Sequence, residues 1–319
     1  MKGLELSQRY YEAYGREMIE CIDPALLARV SVGLCGEGSQ CFGFDDQISQ
    51  DHDFAPGFCV WLSEEDFSRY GRALRDAYDG LPDDFCGFSR KNVIAGERLG
   101  VMTSGSFYKR FTGSPEGPQS NMDWLMTPEA HLACAANGRL FHDQNPAFSR
   151  TRERLLAFYP EDVRRKKIAA RAAVMAQAGQ YNLLRLIKRE DKVAASLALA
   201  RFTEASVSMV HLLNQRYTPF YKWSFYSMRT LPKLGGEIAP LLSALVQIPA
   251  LIGEKSAGAL HEEAFQLTEE ICIHAAEELR AQALSRTRDS FLQSHAGEIM
   301  EGIGDPQLRA MHPMTDCHN

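Results

Sequence analysis

The sequence predicts an α+β chain in two parts: a mixed α/β domain over residues 1–158, then an all-α helical bundle over residues 159–319. Three observations carry this. Short apolar runs with strand character occur in the first half only. Long stretches rich in Ala, Leu, Arg and Lys at helical spacing fill the second half. Tyr159-Pro160 separates them, and Glu161-Asp162 then opens a new helical pattern. With 45% hydrophobic and 24% charged residues the chain is globular, neither disordered, fibrous nor a disulfide-rich mini-protein. Forty-one acidic against 35 basic residues give a net charge of −6, which argues against a general nucleic-acid binder but leaves room for a small basic pocket.

In order along the chain, Leu4, Tyr11, Tyr14, Met18 and Ile19 recur at helical spacing and predict an opening amphipathic helix. Residues 29–35 (RVSVGLC) alternate around valines and run into glycines, as a strand entering a tight loop does. Residues 57–62 (GFCVWL) are apolar on both faces, which predicts a central strand covered on both sides. Ser63 followed by Glu64-Glu65-Asp66 is an N-cap with an acidic first turn. Residues 99–103 make a third strand. Further helices are expected at 192–215, 236–251, 261–280 and 287–303, joined by short loops as in an antiparallel bundle. The basic run Arg164-Arg165-Lys166-Lys167 is expected to be one solvated helix face.

The N-terminus lacks an apolar stretch followed by a small-residue cleavage site. The longest apolar runs, such as residues 241–252, are broken by Ser243, Gln247 and Pro249 and are too short for a bilayer. The eight cysteines are scattered with no C-x-x-C spacing, so they read as reduced, buried thiols, Cys59 in a strand and Cys134 in an apolar helix. The expectation is a cytoplasmic protein with no membrane and no nucleic-acid partner.

The chemistry concentrates in residues 33–62, GLCGEGSQCFGFDDQISQDHDFAPGFCVWL. Gly36-Glu37-Gly38-Ser39 is a glycine-rich turn directly after a strand. Glycines take positive φ and let backbone N–H groups approach an anion, and Ser39 adds a hydroxyl donor. Most such turns merely turn. Asp51-His52-Asp53 lies just before the apolar strand. Side chains alternate along a strand, so Asp51 and Asp53 would face one side, and paired carboxylates ionise fully only around a cation such as Mg²⁺. Two solvated acids at a strand entrance are the plain alternative. His52 would face away and pack.

Strand, Gly38-Ser39, then Asp51-x-Asp53 resembles the nucleotidyltransferase superfamily, typified by polymerase β and the aminoglycoside nucleotidyltransferases. More narrowly, the chain looks like a group of bacterial nucleotidyltransferase-like proteins of the DUF4037 type, through GEGSQCFGFDDQISQDHDF, NGRLFHD (137–143), AQAGQYN (176–182) and LLNQRYTPFYKW (212–223). The resemblance implies a nucleotidyltransferase-like first domain. There Gly38 and Ser39 would cradle the triphosphate, and Asp51 and Asp53 would bind Mg²⁺ and serve as catalytic carboxylates. A lysine of the helical half, Lys222 with Lys192 in reserve, would offset the phosphate charge. The implied reaction moves a nucleotidyl group, AMP from ATP foremost, onto a hydroxyl of a small-molecule acceptor. One departure stands out: residues 100–103 (GVMT) carry no third carboxylate, so Glu97 at the strand entrance is the catalytic candidate and Asp123 the next nearest acid. A nucleotide-binding sensor without turnover and an enzyme that modifies protein hydroxyls therefore stay open. Gly179-Gln180-Tyr181-Asn182 inside a helix reads either as a tight helix crossing or as a cleft wall. The aromatics of residues 217–223 read mostly as core.

Overall fold

The computed structural model describes residues 1–50, 54–92 and 98–315. It is an α+β structure whose chain divides into two compact units. One comprises Met1–Gln119 and His131–Ala157; the other comprises Ser120–Ala130 and Phe158–Asn319.

The first unit opens with α1 (Gly3–Tyr10), a π-helical turn (Tyr11–Gly15) and α2 (Arg16–Ile22). Where one regular helix was expected, the widened turn ends at Gly15, and a Cβ there would lie 2.5 Å from both Tyr11 and Phe58 ring atoms. β1 (Ser31–Leu34), α3 (Ser39–Phe42), β2 (Cys59–Leu62) and α4 (Glu64–Asp79) follow. Ser63 caps α4 as its sequence requires, its hydroxyl accepting from the Asp66 N–H at 3.0 Å. A two-stranded hairpin, β3 (Asp84–Phe85) with β4 (Phe88–Ser89), precedes β5 (Gly100–Thr103) and α5 (Ser104–Thr112). α6 (Asn121–Met126) belongs to the second unit, and α7 (Glu129–Ala136) runs from that unit back into the first. β6 (Arg139–Asp143) and α8 (Pro146–Leu156) complete the first unit.

Its sheet has the order β5-β2-β1-β6. β1 is antiparallel to both β2 (Val32↔Val60) and β6 (Val32↔His142), whereas β2 and β5 are parallel (Val60↔Val101). β2 is thus a central strand, and all four of its residues are buried. β6 has a mostly half-exposed sequence, RLFHD, which carries too weak a strand pattern to be read in advance. Its position is fixed by close backbone approach: a Cβ on Gly33 would sit 2.4 Å from the Arg139 carbonyl oxygen, and one on Gly138 1.9 Å from that of Leu34. Tyr10, Ile19, Val32, Phe58, Val60, Leu62 and Leu74 form the core on one sheet face. On the other, fully buried Trp61 stacks on Phe148 at 4.2 Å. Each such burial stabilises by about 1.5–3 kcal/mol.

The second unit continues with α9 (Glu161–Met175), a π-helical stretch (Ala176–Leu183), α10 (Leu184–Lys188) and α11 (Lys192–Leu213). α12 (Tyr221–Met228), α13 (Gly235–Leu245), α14 (Ala257–Ala281), α15 (Leu292–Glu301) and α16 (Pro306–Arg309) follow. α9 packs against α11 and α15. Gly179 marks a tight crossing, since a Cβ there would lie 2.3 Å from the Phe202 ring. Gln180 donates to Glu269 Oε1 at 2.8 Å and to the Ser290 carbonyl at 3.0 Å, and accepts from the Leu292 N–H at 3.0 Å. Of the two readings of this motif, the helix crossing is the one the geometry bears out.

Two expectations are corrected here. The basic run of α9 is not a solvated face. Arg164, Lys166 and Lys167 are buried, with Arg164 Nε donating to the Leu212 carbonyl at 3.2 Å and Lys166 Nζ to that of Pro313 at 2.9 Å. Long aliphatic stems fill the core while buried carbonyls take up the charged ends. Second, the longest apolar stretch is not residues 241–252 but α11, which by length and composition alone could cross a membrane (mean hydropathy 1.3); half of that stretch is buried inside its unit, which agrees with the expectation of no membrane segment.

Candidate functional site

β1 delivers the chain into the glycine turn. Gly36 (φ +114°) and Gly38 (φ +106°) hold backbone angles that side chains disfavour, and Gly43 (φ +71°) closes the short α3. Asn137, just before β6, grips this turn reciprocally. Its Oδ1 accepts from the Gly36 N–H at 2.8 Å, and its Nδ2 donates to the Gly36 carbonyl at 2.7 Å. Among the described residues, the N–H groups of Gly38 and Ser39 and the Ser39 hydroxyl donate to no partner. The turn therefore combines a fixed backbone with unsatisfied donors.

Beside it is a cavity of about 800 Å³, lined by Gly36 and Glu37 of the turn, by Arg98 and the start of β5, by Arg110 of α5 and by Arg75 and Asp79 of α4. Glu37 Oε2 takes Arg110 Nη2 at 2.6 Å and lies 3.8 Å from Arg98 Nε. Arg75 Nε donates to the Val101 carbonyl at 3.3 Å. Among the described residues, the guanidinium groups of Arg75, Arg98 and Arg110 line this wall with the carboxylates of Glu37 and Asp79, and guanidinium groups are the side chains best suited to anionic ligands. A Cβ on Gly38 would approach Arg98 Nη1 to 3.9 Å, so the turn and this arginine are neighbours. Cys35 also lines the cavity, but burial pushes its thiol up to about 11 and that of nearby Cys134 up to about 12. Burial thus favours the protonated thiol in both.

The sequence-selected residues fare differently. Gly38 and Ser39 form the turn, although Gly36 and Glu37 are the ones on the cavity wall. Asp51, Asp53 and Glu97 lie outside the described residues, as does His52. β2 begins at Cys59. Among the described residues no group of three His, Cys, Asp or Glu side chains could hold a metal ion. The neighbouring acids are structural: buried Asp45 accepts from the Gly3 N–H at 2.9 Å, and Asp46 caps Ser49 N–H at 2.9 Å. Asp123 closes a capping box with Ser120 at the start of α6. Lys222 is exposed on α12, and Lys192 Nζ donates to the Ala250 carbonyl at 3.0 Å. Arg98 and Arg110 have no role in the sequence reading, and Asn137 enters it only as the first residue of the NGRLFHD segment; what distinguishes all three is proximity to the turn.

Residues 124–224, from α6 into α12, match the model of a family described as a domain of unknown function, DUF4037. The DUF4037 part of the narrower sequence resemblance is borne out over these residues. Searches among curated proteins and among solved structures gave no match.

Proposed function

We propose that the first unit binds a nucleoside triphosphate at the glycine turn and that the protein transfers a nucleotidyl group, AMP from ATP, to a hydroxyl. One observation carries this reading: a turn with positive-φ glycines, whose Gly38 and Ser39 N–H groups have no acceptor among the described residues, stands beside a cavity lined in part by arginines at the end of a sheet strand. The mixed sheet, with β1 and β2 antiparallel and β2 and β5 parallel, supports a nucleotidyltransferase-like layout. Gly38 and Ser39 would donate to phosphate oxygens, and Arg98 and Arg110 would offset their charge. Asp51 and Asp53 would hold Mg²⁺, which when bound neutralises charge on the phosphates. The acceptor hydroxyl would attack the α-phosphorus and pyrophosphate would leave, the hydroxyl proton passing to a base for which Glu97 is the candidate.

A second reading is favoured by the sequence of β5, Gly-Val-Met-Thr, which supplies no carboxylate: the unit binds nucleotide without turnover, as a sensor. Calorimetry with ATP, with and without Mg²⁺, tests the shared part. Micromolar Mg²⁺-dependent binding that is lost in the Asp51→Asn, Asp53→Asn double variant is expected. Absence of binding to all four triphosphates would sink both readings. Pyrophosphate release with candidate acceptors then separates enzyme from sensor, and label on a protein band in lysate would identify a protein hydroxyl as acceptor.

A further inference from the structure

In the second unit three buried polar side chains from three helices meet at one cavity. Glu129 opens α7, Arg171 lies on α9 and Ser208 on α11, each at most 6% exposed. Arg171 Nη2 donates to Glu129 Oε1 at 2.8 Å and Arg171 Nε to Ser208 Oγ at 2.7 Å, while Ser208 Oγ sits 3.1 Å from Glu129 Oε2. Apolar side chains of similar volume would join these helices without the desolvation that a buried ion pair demands. The group instead borders a cavity of about 310 Å³ whose remaining wall includes Thr218, Phe220, Tyr221 and Glu204.

Two further features point to a ligand. Thr218 Oγ1 is buried on this wall with no hydrogen-bond partner among the described residues. Phe220 and Tyr221 are 52% and 75% exposed with ring centroids 4.6 Å apart, so the sequence-based expectation that they belong to the core is corrected. Two large rings are left in water at the rim of a mainly apolar cavity that holds a few buried polar groups. All of the lining lies within residues 124–224, the stretch that matches the DUF4037 family.

The donor set selects the ligand class. A simple anion would face Glu129 and Glu204, and a simple cation would face Arg171. A purely apolar molecule would leave Thr218 Oγ1 without a partner. A hydroxylated ring offers a donor and an acceptor at each hydroxyl and an apolar C–H face to an aromatic side chain. The volume is at the lower end of ligand cavities, about 300–1,000 Å³, and suits a single ring. We propose that this cavity binds a single-ring polyhydroxylated molecule of the hexose or cyclitol class. Its hydroxyls face Thr218 and the Glu129–Arg171–Ser208 group, and its face rests on Tyr221. The site stands independently of triphosphate binding in the first unit.

Saturation-transfer NMR on the full chain, with D-glucose, D-glucosamine and myo-inositol as probes at millimolar concentration, tests this. At least one probe is expected to bind saturably. Tyr221→Ala or Thr218→Val should weaken that binding about tenfold or more without lowering the melting temperature, because Tyr221 is exposed and valine matches threonine in shape. If Thr218→Val melts early, Tyr221→Ala alone decides. Failure of all three probes to saturate the wild type, or binding that neither substitution weakens, would overturn the proposal.

Discussion

In the first unit the glycine turn is held by backbone: Gly36 and Gly38 at positive φ, Gly33 and Gly138 where strands approach too closely for a side chain, and one amide, Asn137, across the turn. In the second unit the polar centre is held by charge: Glu129 beside Arg171 at 2.8 Å, with Lys167 Nζ 3.9 Å away. The contrast follows from surroundings. A turn at a strand end keeps some contact with water, so its polar groups can stay open for a ligand. Ions inside a helical core must be matched with one another or with carbonyls, because an unmatched buried charge is too costly to keep. The first region should therefore be sensitive to added carbon atoms, the second to removed charge.

Four substitutions would break or sharpen that comparison. The largest expected effect is from Glu129→Ala, which removes the carboxylate shared by Arg171 and Lys167 and should cost about 3–5 kcal/mol in urea unfolding. A loss under 1 kcal/mol would mean that the pair contributes little. Next is Gly138→Ala, where φ is +74° and the new Cβ would meet the Leu34 carbonyl. Strain of this kind is expected to cost about 3 kcal/mol, read as a lowered melting temperature of the first unit. A wild-type melt would show that β6 can shift away.

Asn137→Ala follows. It removes both bonds to Gly36, so a loss of about 1–3 kcal/mol is expected, together with a weaker triphosphate affinity by calorimetry. If stability falls while affinity is unchanged, the amide holds the fold alone. The smallest effect concerns pH. Glu298 Oε2 accepts from the Ser285 hydroxyl at 2.6 Å, the Arg286 N–H at 2.9 Å and the Thr287 hydroxyl at 2.9 Å, and these bonds hold its carboxyl down to about 2. The folded state thus favours the carboxylate. Its contribution is complete above the ordinary value of 4.5 and is lost as pH falls from there toward about 2. The stability gap between wild type and Glu298→Gln should shrink across that window; a constant gap would rule out the carboxylate as its source.

Much of this arrangement is legible in the chain itself. Residues 57–62, apolar on both faces, read as a covered strand, and β2 at Cys59–Leu62 is one. Ser63 with its acidic first turn fixes where α4 starts. The alternation of residues 29–35 and the glycines after them announce a strand entering a tight turn, which is β1 and the Gly36–Gly38 turn. These signals are local, because strand period, capping and positive φ involve residues a few positions apart.

What the tertiary structure alone decided is every relation across distance. Asn137 grips Gly36 from more than a hundred positions away, and the NGRLFHD segment that it opens does not reveal that contact. The run Arg164–Lys167 has the composition of a solvated face, yet three of its four residues are buried because carbonyls and carboxylates from other helices come within reach. Phe220 and Tyr221 have the composition of core and lie in water at a cavity rim. Local propensity sets which elements form; burial and partner geometry, which depend on the whole packed unit, set which side chains are left to meet a ligand.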